Sequence, residues 1–207
     1  MSKALIFDLD NTIYPVHSIG AALFAPLFSM LEDSGELQEQ MDAVKDAIQR
    51  KPFQVVAAEF GFNDALTQGG IQLLKNLSYN GPIEPFPDFQ LVLTLPQTKF
   101  LVTTGFTKLQ ESKIDGMRIR ELFQETHIVD PMQDARTKKD VFSDILTRYA
   151  FQPHEVMVIG DDPDSEIKAA HALGIPTILF DALGRYSEWN LSKRIESYGA
   201  LPLAISY

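Results

Sequence analysis

Ala4-Leu5-Ile6-Phe7-Asp8-Leu9-Asp10-Asn11-Thr12 is the stretch that decides how this chain folds. Its first four residues are all apolar, so the segment has no polar face. A central parallel strand covered by helices on both sides requires that pattern. The strand runs straight into Asp8 and Asp10, followed by the turn formers Asn11 and Thr12. In a chain that stays extended, the two carboxylates point to the same side. Like charges that close repel, and removing them from water is costly unless a proton or a cation intervenes. A divalent cation does so, and all-oxygen donors select magnesium. The competing structural reading is an Asx-rich turn that caps the next segment.

Outward from this stretch the chain changes character twice. Residues 14–85 read as helical, with helices expected over 19–31, 36–48, 52–61 and 63–77. Pro26 should kink the first of these, and Leu37, Met41, Val44 and Ile48 mark the buried face of the second. Pro52 suits a first turn, and Asn63 suits an N-cap. The Pro-rich run Tyr79-Asn80-Gly81-Pro82-Ile83-Glu84-Pro85-Phe86-Pro87 reads as a linker. Beyond it, strands at 99–103, 126–129, 155–159 and 176–180 alternate with helices at 107–115, 137–149 and 164–173. A last helix is expected over 185–198. Such alternation predicts an α/β, Rossmann-like doubly wound parallel sheet. The core would comprise 1–13 and 86–207, and a small all-helical domain, 14–85, would be inserted after the first strand. Ligands of open parallel sheets bind at the carboxyl ends of the strands. Asp8, Thr103 and Asp161 stand at three such ends, so they should converge on one crevice.

Three further groups bear on that crevice. Gly160-Asp161-Asp162-Pro163-Asp164-Ser165-Glu166 follows a buried strand and opens a helix. The helix dipole accounts for Asp164 and Glu166, but Asp161 and Asp162 precede the helix. Thr103, Thr104 and Gly105 offer a hydroxyl and turn N–H groups able to hold phosphate oxygens. Lys138 and Lys139 open another helix, where the dipole disfavours cations. A lysine there makes sense if it faces carboxylates and a phosphate; two solvated surface lysines are the alternative.

Taken together, these pieces resemble the haloacid dehalogenase-like hydrolase superfamily. Its Asp-x-Asp-x-Thr motif is matched by Asp8-Leu9-Asp10-Asn11-Thr12, and its strand-ending Thr or Ser by Thr103. Its helix-opening lysine is matched by Lys138, whose spacing to Phe142 suits the family better than that of Lys139. The final Gly-Asp and acidic motif is matched by Gly160-Asp161 with Glu166. The agreement runs over residues 4–13 and 86–180, and the 14–85 insertion falls where the family places a helical cap. The resemblance implies a phosphatase. Asp8 attacks phosphorus to form an aspartyl-phosphate, and Asp10 protonates the leaving alcohol and then activates water. Mg2+ is held by Asp8, the Asp10 carbonyl and Asp161, with Asp162 and Glu166 acting behind them. Asn11, Thr103, Thr104, Gly105 and Lys138 are expected on the phosphoryl oxygens. Dehalogenases of the family lack the second aspartate and need no magnesium, so Asp10 favours phosphoryl transfer. A phosphomutase, or a catalytically silent relative binding a phosphorylated ligand or a protein, are the alternatives. The string Asp8-Leu9-Asp10-Asn11-Thr12-Ile13-Tyr14-Pro15 is similar to a subgroup that includes pyrimidine 5'-nucleotidases, making a nucleoside monophosphate one candidate substrate. Tyr14, His17 and Ser18 are expected near the cap entrance. His127, His154 and His171 read as structural, and Tyr186 and Trp189 as packing residues.

Composition bounds these expectations. A net charge of −10 over 207 residues repels a nucleic-acid backbone. A phosphorylated substrate then needs lysines and a metal ion to reverse the field locally. No apolar run approaches the roughly 18 residues of a membrane span. The strand-like start argues against a signal peptide, and the absence of cysteine fits a reducing cytoplasm. The expected partner is a small phosphate ester, with no nucleic acid polymer and no membrane; the oligomeric state is left open.

Overall fold

The protein is described from a computed structural model that covers residues 2–37, 39–186 and 193–205. Its strands are β1 (Ala4–Phe7), β2 (Thr98–Thr104), β3 (Glu125–Val129), β4 (Val156–Gly160), β5 (Thr177–Phe180) and β6 (Arg194–Ile195). They form one parallel sheet in the order β3-β2-β1-β4-β5-β6. The order reverses beside β1, so the crevice at its carboxyl end lies between β1 and β4, where doubly wound sheets bind their ligands. Register is set along β1: Ile6 lies opposite Phe100 and Val158, and Phe7 opposite Leu101 and Ile159.

The apolar run of β1 is divided between two cores by the alternation of strand side chains. Leu5 and Phe7 join Leu101, Ile159 and Phe180 in one cluster; Ala4 and Ile6 join Phe100, Val102 and Val158 in the other. The first is covered by α6 (Thr107–Met117), the second by α7 (Lys138–Arg148) through Val141, Phe142 and Ile145. Each such side chain contributes roughly 1.5–3 kcal/mol by leaving water.

Among the described residues, five α-helices lie between β1 and β2: α1 (His17–Leu23), α2 (Ala25–Asp33), α3 (Met41–Ile48), α4 (Phe53–Glu59) and α5 (Asp64–Asn76). Pro26 does not kink a continuous helix. It sits in the first turn of α2, after a break at Phe24, where its missing N–H is no loss. The second helix starts at Met41 rather than 36, yet Leu37 is still buried. Asn63 caps α5 by accepting from Leu66 N at 2.8 Å. The chain leaves and re-enters the sheet side by side, with Phe86 N donating to Ile13 O at 2.8 Å.

Three further elements differ from expectation. Residues 163–171 divide into a π-helical turn, Pro163–Ile167, and the short α8 (Lys168–His171). A 3-10 segment, Phe89–Thr94, follows the linker. The helix expected over 185–198 is overturned where it is described. Arg194–Ile195 pairs with β5 as edge strand β6, and Asp181 N donates to Ile195 O at 2.8 Å. A 3-10 turn, Tyr198–Ala200, and α9 (Leu201–Ala204) come next. Tyr198 is fully buried, stacks on Phe180 at 4.4 Å and donates to Thr12 O at 2.7 Å. Trp189 lies outside the described residues. Among the described residues, no helix is long and apolar enough to cross a membrane.

Candidate active site

Strand parity carries one residue past the end of β1. Asp8 follows Ala4 and Ile6 toward the α7 layer, where Lys138 Nζ donates to its Oδ1 at 2.6 Å. Asn11 then takes a left-handed conformation, φ 56°, a region its short polar side chain tolerates. Asp10 meets the α6 layer instead, where Lys113 Nζ donates to both its oxygens at 2.8 and 2.9 Å. The expectation that both carboxylates share a side fails because the chain leaves β geometry after Phe7. Each instead has its own lysine.

Local signals aim Lys138 inward. Thr137 and Asp140 form a capping box that fixes the first turn of α7. Asp140 answers the helix dipole, leaving Lys138 free to turn inward; it is 7% exposed, whereas Lys139 is exposed. Lys138 Nζ also donates to Glu166 Oε2 at 2.7 Å. Glu166 reaches back because Pro163–Ile167 winds as a π turn, a local irregularity frequent at functional sites. Its other oxygen accepts from Asp162 N at 2.8 Å. Gly160 is required by that approach, since a Cβ there would stand 2.1 Å from Glu166 Oε1. Carboxylate oxygens of Asp8, Asp161 and Glu166 all lie within 4.8 Å of one another. The Asp162 side chain turns away to accept from Asp164 N at 2.9 Å, and Arg185 approaches Asp161 at 3.7 Å.

A sequence profile of the haloacid dehalogenase-like hydrolases matches residues 2–174. The chain belongs to that family. The chain is 24% identical over 197 residues to a glyceraldehyde 3-phosphate phosphatase of Methanopyrus kandleri, covering 86% of this chain and 83% of that one. It is 23% identical over 204 residues to a ribulose-1,5-bisphosphate 5-phosphatase of Halopiger xanaduensis, with 87% and 85% covered. Among solved structures, YfnB from Bacillus subtilis bound to magnesium aligns over 100% of this chain and 99% of its own, with a TM-score of 0.66 at 15% identity.

The electrostatics of the hydrolase's crevice are unbalanced. Burial pushes the Asp8 carboxyl up to about 7, with Glu166 adding to the shift and Lys138 opposing it. Burial, then Glu166, Asp8 and Asp162, raise Asp161 well above the ordinary carboxylate range. Asp162 is raised too, by burial and by Glu166. Lys138 is held protonated: burial works against its charge, but Asp8 and Glu166 outweigh it. Hard oxygens in excess of the local positive charge are the chemistry of a magnesium site, so the donor set fits that ion. Asp10 differs. Burial would raise it, but Lys113, Tyr14 and Gln110 more than reverse this and hold it below the usual value.

The phosphate-binding expectations fare unevenly. Thr103 is buried and its Oγ1 accepts from Gln110 Nε2 at 2.7 Å; the Thr104 carbonyl accepts from the same amide at 3.4 Å. Gly105 N–H donates to Val129 O at 3.0 Å, so it completes the β2–β3 connection and is not free for a phosphate oxygen. The glycine is needed for its φ of 155° and because a Cβ would meet the Gln110 side chain at 3.1 Å. The Asn11 side chain accepts from Val16 N at 3.1 Å and donates to Gln49 O at 3.3 Å, tying the turn after β1 to the α3–α4 turn. His127 bonds Glu125 at 2.8 Å and His171 bonds Thr177 at 2.9 Å, as structural residues do. Tyr186 N donates to Asp181 at 3.0 Å.

Sequence reading missed Gln110 and Lys113, and placed Tyr14 only near an entrance. The available signal was Gln110 and Lys113 at i, i+3 on the helix that leaves the Thr103 turn. A cavity of about 140 Å³ joins Asp8, Asp10, Gln110, Lys113, Lys138 and Asp161 to Phe24, Leu74 and residues 49–54 of the helical insertion.

Proposed function

We propose that this hydrolase is a magnesium-dependent phosphatase acting on a small phosphorylated metabolite through an aspartyl-phosphate on Asp8. The observation that carries the reading is Lys138 bridging Asp8 and Glu166 beside Asp161, with Asp10 held separately across the crevice. An Asp8 oxygen forms a bond to phosphorus while the ester P–O bond breaks, and the leaving oxygen takes a proton from Asp10. Lys113 holds Asp10 ionised at rest; the anionic ester arriving beside it raises its proton affinity, so Asp10 takes a proton from solvent water before passing it to the leaving oxygen. Water then gives a proton to Asp10 and attacks phosphorus, and the bonding pair returns to Asp8. Lys138 and the Thr103 hydroxyl side of the crevice face the phosphoryl oxygens, and Asn11 can contribute only its backbone N–H. Asp8, Asp161 and the Asp10 carbonyl are the residues that would hold magnesium, with Glu166 and Asp162 behind them. The bound ion supplies positive charge that draws electrons from the phosphoryl group.

Residues 14–85 serve as the cap, because residues 49–54, Phe24 and Leu74 close the cavity over the nucleophile. Substrate choice then falls to that wall. The two relatives are named for a triose phosphate and a pentulose bisphosphate, which puts a phosphorylated sugar first. A nucleoside monophosphate is second, favoured by the motif string at residues 8–15 and by the apolar surface of Phe24 and Phe53 in the cavity. Phosphate release from sugar phosphates, nucleoside monophosphates and 4-nitrophenyl phosphate, with magnesium and with EDTA, tests the reading. Release that EDTA stops is expected. Isomerisation of a sugar phosphate without release would mean a mutase, and no reaction with any ester would mean a silent binding protein.

A pH dependence follows from the raised carboxylates. Asp8 binds its proton more tightly in the folded chain than in the unfolded one, so its contribution to stability is full below about pH 4 and is lost as pH rises through about 7. Asp161 acts in the same direction. Asp10, Glu125 and Asp130 are held low, and their opposite contributions are complete by about pH 5. Without divalent cation, the melting temperature should fall between pH 5 and 7.5. Magnesium should restore it, with a larger gain at pH 7.5 than at 5, since the ion must displace those protons. Scanning calorimetry at both pH values checks this; an equal magnesium shift at each would contradict it.

A further inference from the structure

Lys113 is an unexpected side chain for its position. It is 3% exposed on a helix whose neighbouring Leu109 and Ile114 belong to the apolar core. A methionine there would fill similar space without desolvating an ammonium, and a buried ion pair is seldom the more stable choice. The Asp10 carboxylate it meets is saturated. Oδ1 accepts from Lys113 and from Tyr14 Oη at 2.5 Å, and Oδ2 accepts from Lys113 and from Gln110 Nε2 at 3.0 Å. Tyr14 and Gln110 are themselves buried, and Gln110 also grips Thr103 at 2.7 Å.

We infer that Lys113, with Gln110 and Tyr14, is a positioning residue that fixes the Asp10 carboxylate for proton transfer and locks it to the Thr103 turn. The inference rests on the phosphatase reading and adds a second lysine to its site. Lys113 alone binds both oxygens, so it remains the pivot when one neutral donor, Tyr14 or Gln110, gives way to the leaving oxygen or to water. Two helix layers thereby set two carboxylates independently. α7 fixes the nucleophile through Lys138, and α6 fixes the proton carrier through Lys113.

The two chemical steps depend on this device unequally. A nitrophenolate leaving group departs with its electron pair and needs little protonation, so attack by Asp8 survives a misplaced Asp10. Hydrolysis of the aspartyl-phosphate still needs Asp10 to accept a proton from water. With 4-nitrophenyl phosphate and magnesium in rapid-quench experiments, Lys113→Met should release about one nitrophenolate per site in a burst, followed by turnover ~100-fold or more below the parent protein. Tyr14→Phe, which removes only a hydroxyl, should show the same split at a few-fold. Equal loss of both phases would mean a merely structural lysine, and no loss in either would also overturn the inference. Should Lys113→Met fail to fold, Gln110→Met and Tyr14→Phe are held to the same criterion. A parent protein that releases no phosphate would defeat the phosphatase reading instead. In that event a crystal structure of Lys113→Met or Tyr14→Phe decides: Asp10 parted from Gln110 supports the inference, and Asp10 unmoved refutes it.

Discussion

Asp8→Asn is expected to lower kcat by roughly 10⁴–10⁶-fold, the scale on which loss of a covalent nucleophile acts. The amide keeps the shape of the carboxylate but cannot form the acyl-phosphate. The fold should survive for an electrostatic reason. Burial and Glu166 already push the Asp8 carboxyl up to about 7, so removing its charge relieves repulsion. Lys138 keeps Glu166 as its partner at 2.7 Å. Phosphate release measured alongside a melting curve separates the two effects. A folded Asp8→Asn protein with near-normal turnover would remove Asp8 from the mechanism.

Lys138→Met should fail in both respects. Asp8, Asp161 and Glu166 would be left around a site without its buried cation, and breaking such a buried pair destabilises by about 3–5 kcal/mol. Loss of one preorganised charge on the phosphoryl oxygens removes a further ~10²–10³-fold in kcat. Magnesium should recover part of the stability, because the ion occupies the same acidic pocket. The adjacent Lys139→Met is the control. Its side chain is exposed, so stability should stay within about 0.5 kcal/mol and turnover should not change. Equal effects from the two lysines, read by urea denaturation and steady-state rates, would overturn the geometry described for α7.

What could be read in the sequence was whatever depends on short-range periodicity. The all-apolar Ala4–Phe7 announced a central strand, and the strand ends at Asp8, Thr103 and Asp161 announced one crevice, because topology alone brings carboxyl ends together. The start of α7 was legible, and spacing to Phe142 favoured Lys138; its burial beside an exposed Lys139 agrees with that preference. Interactions set by a long-range approach were not legible. No pattern in residues 8–12 reports that Asp8 meets Lys138 of α7 while Asp10 meets Lys113 of α6. Gly105 looked like a phosphate-binding turn because its ladder partner, Val129, is 24 residues away in sequence. Lys113 looked like an ordinary helix lysine until Asp10, 103 residues earlier, stood beside it. The edge strand Arg194–Ile195 is too short to show alternation, and its pairing with β5 decides its conformation.

Acid quenching during turnover of 4-nitrophenyl phosphate, followed by borohydride reduction and peptide mass spectrometry, locates the phosphoryl group directly. The modification should fall on Asp8, increase in Lys113→Met, and vanish in Asp8→Asn. A phosphoryl group on any other residue, or one that persists in Asp8→Asn, would contradict covalent catalysis at the end of β1.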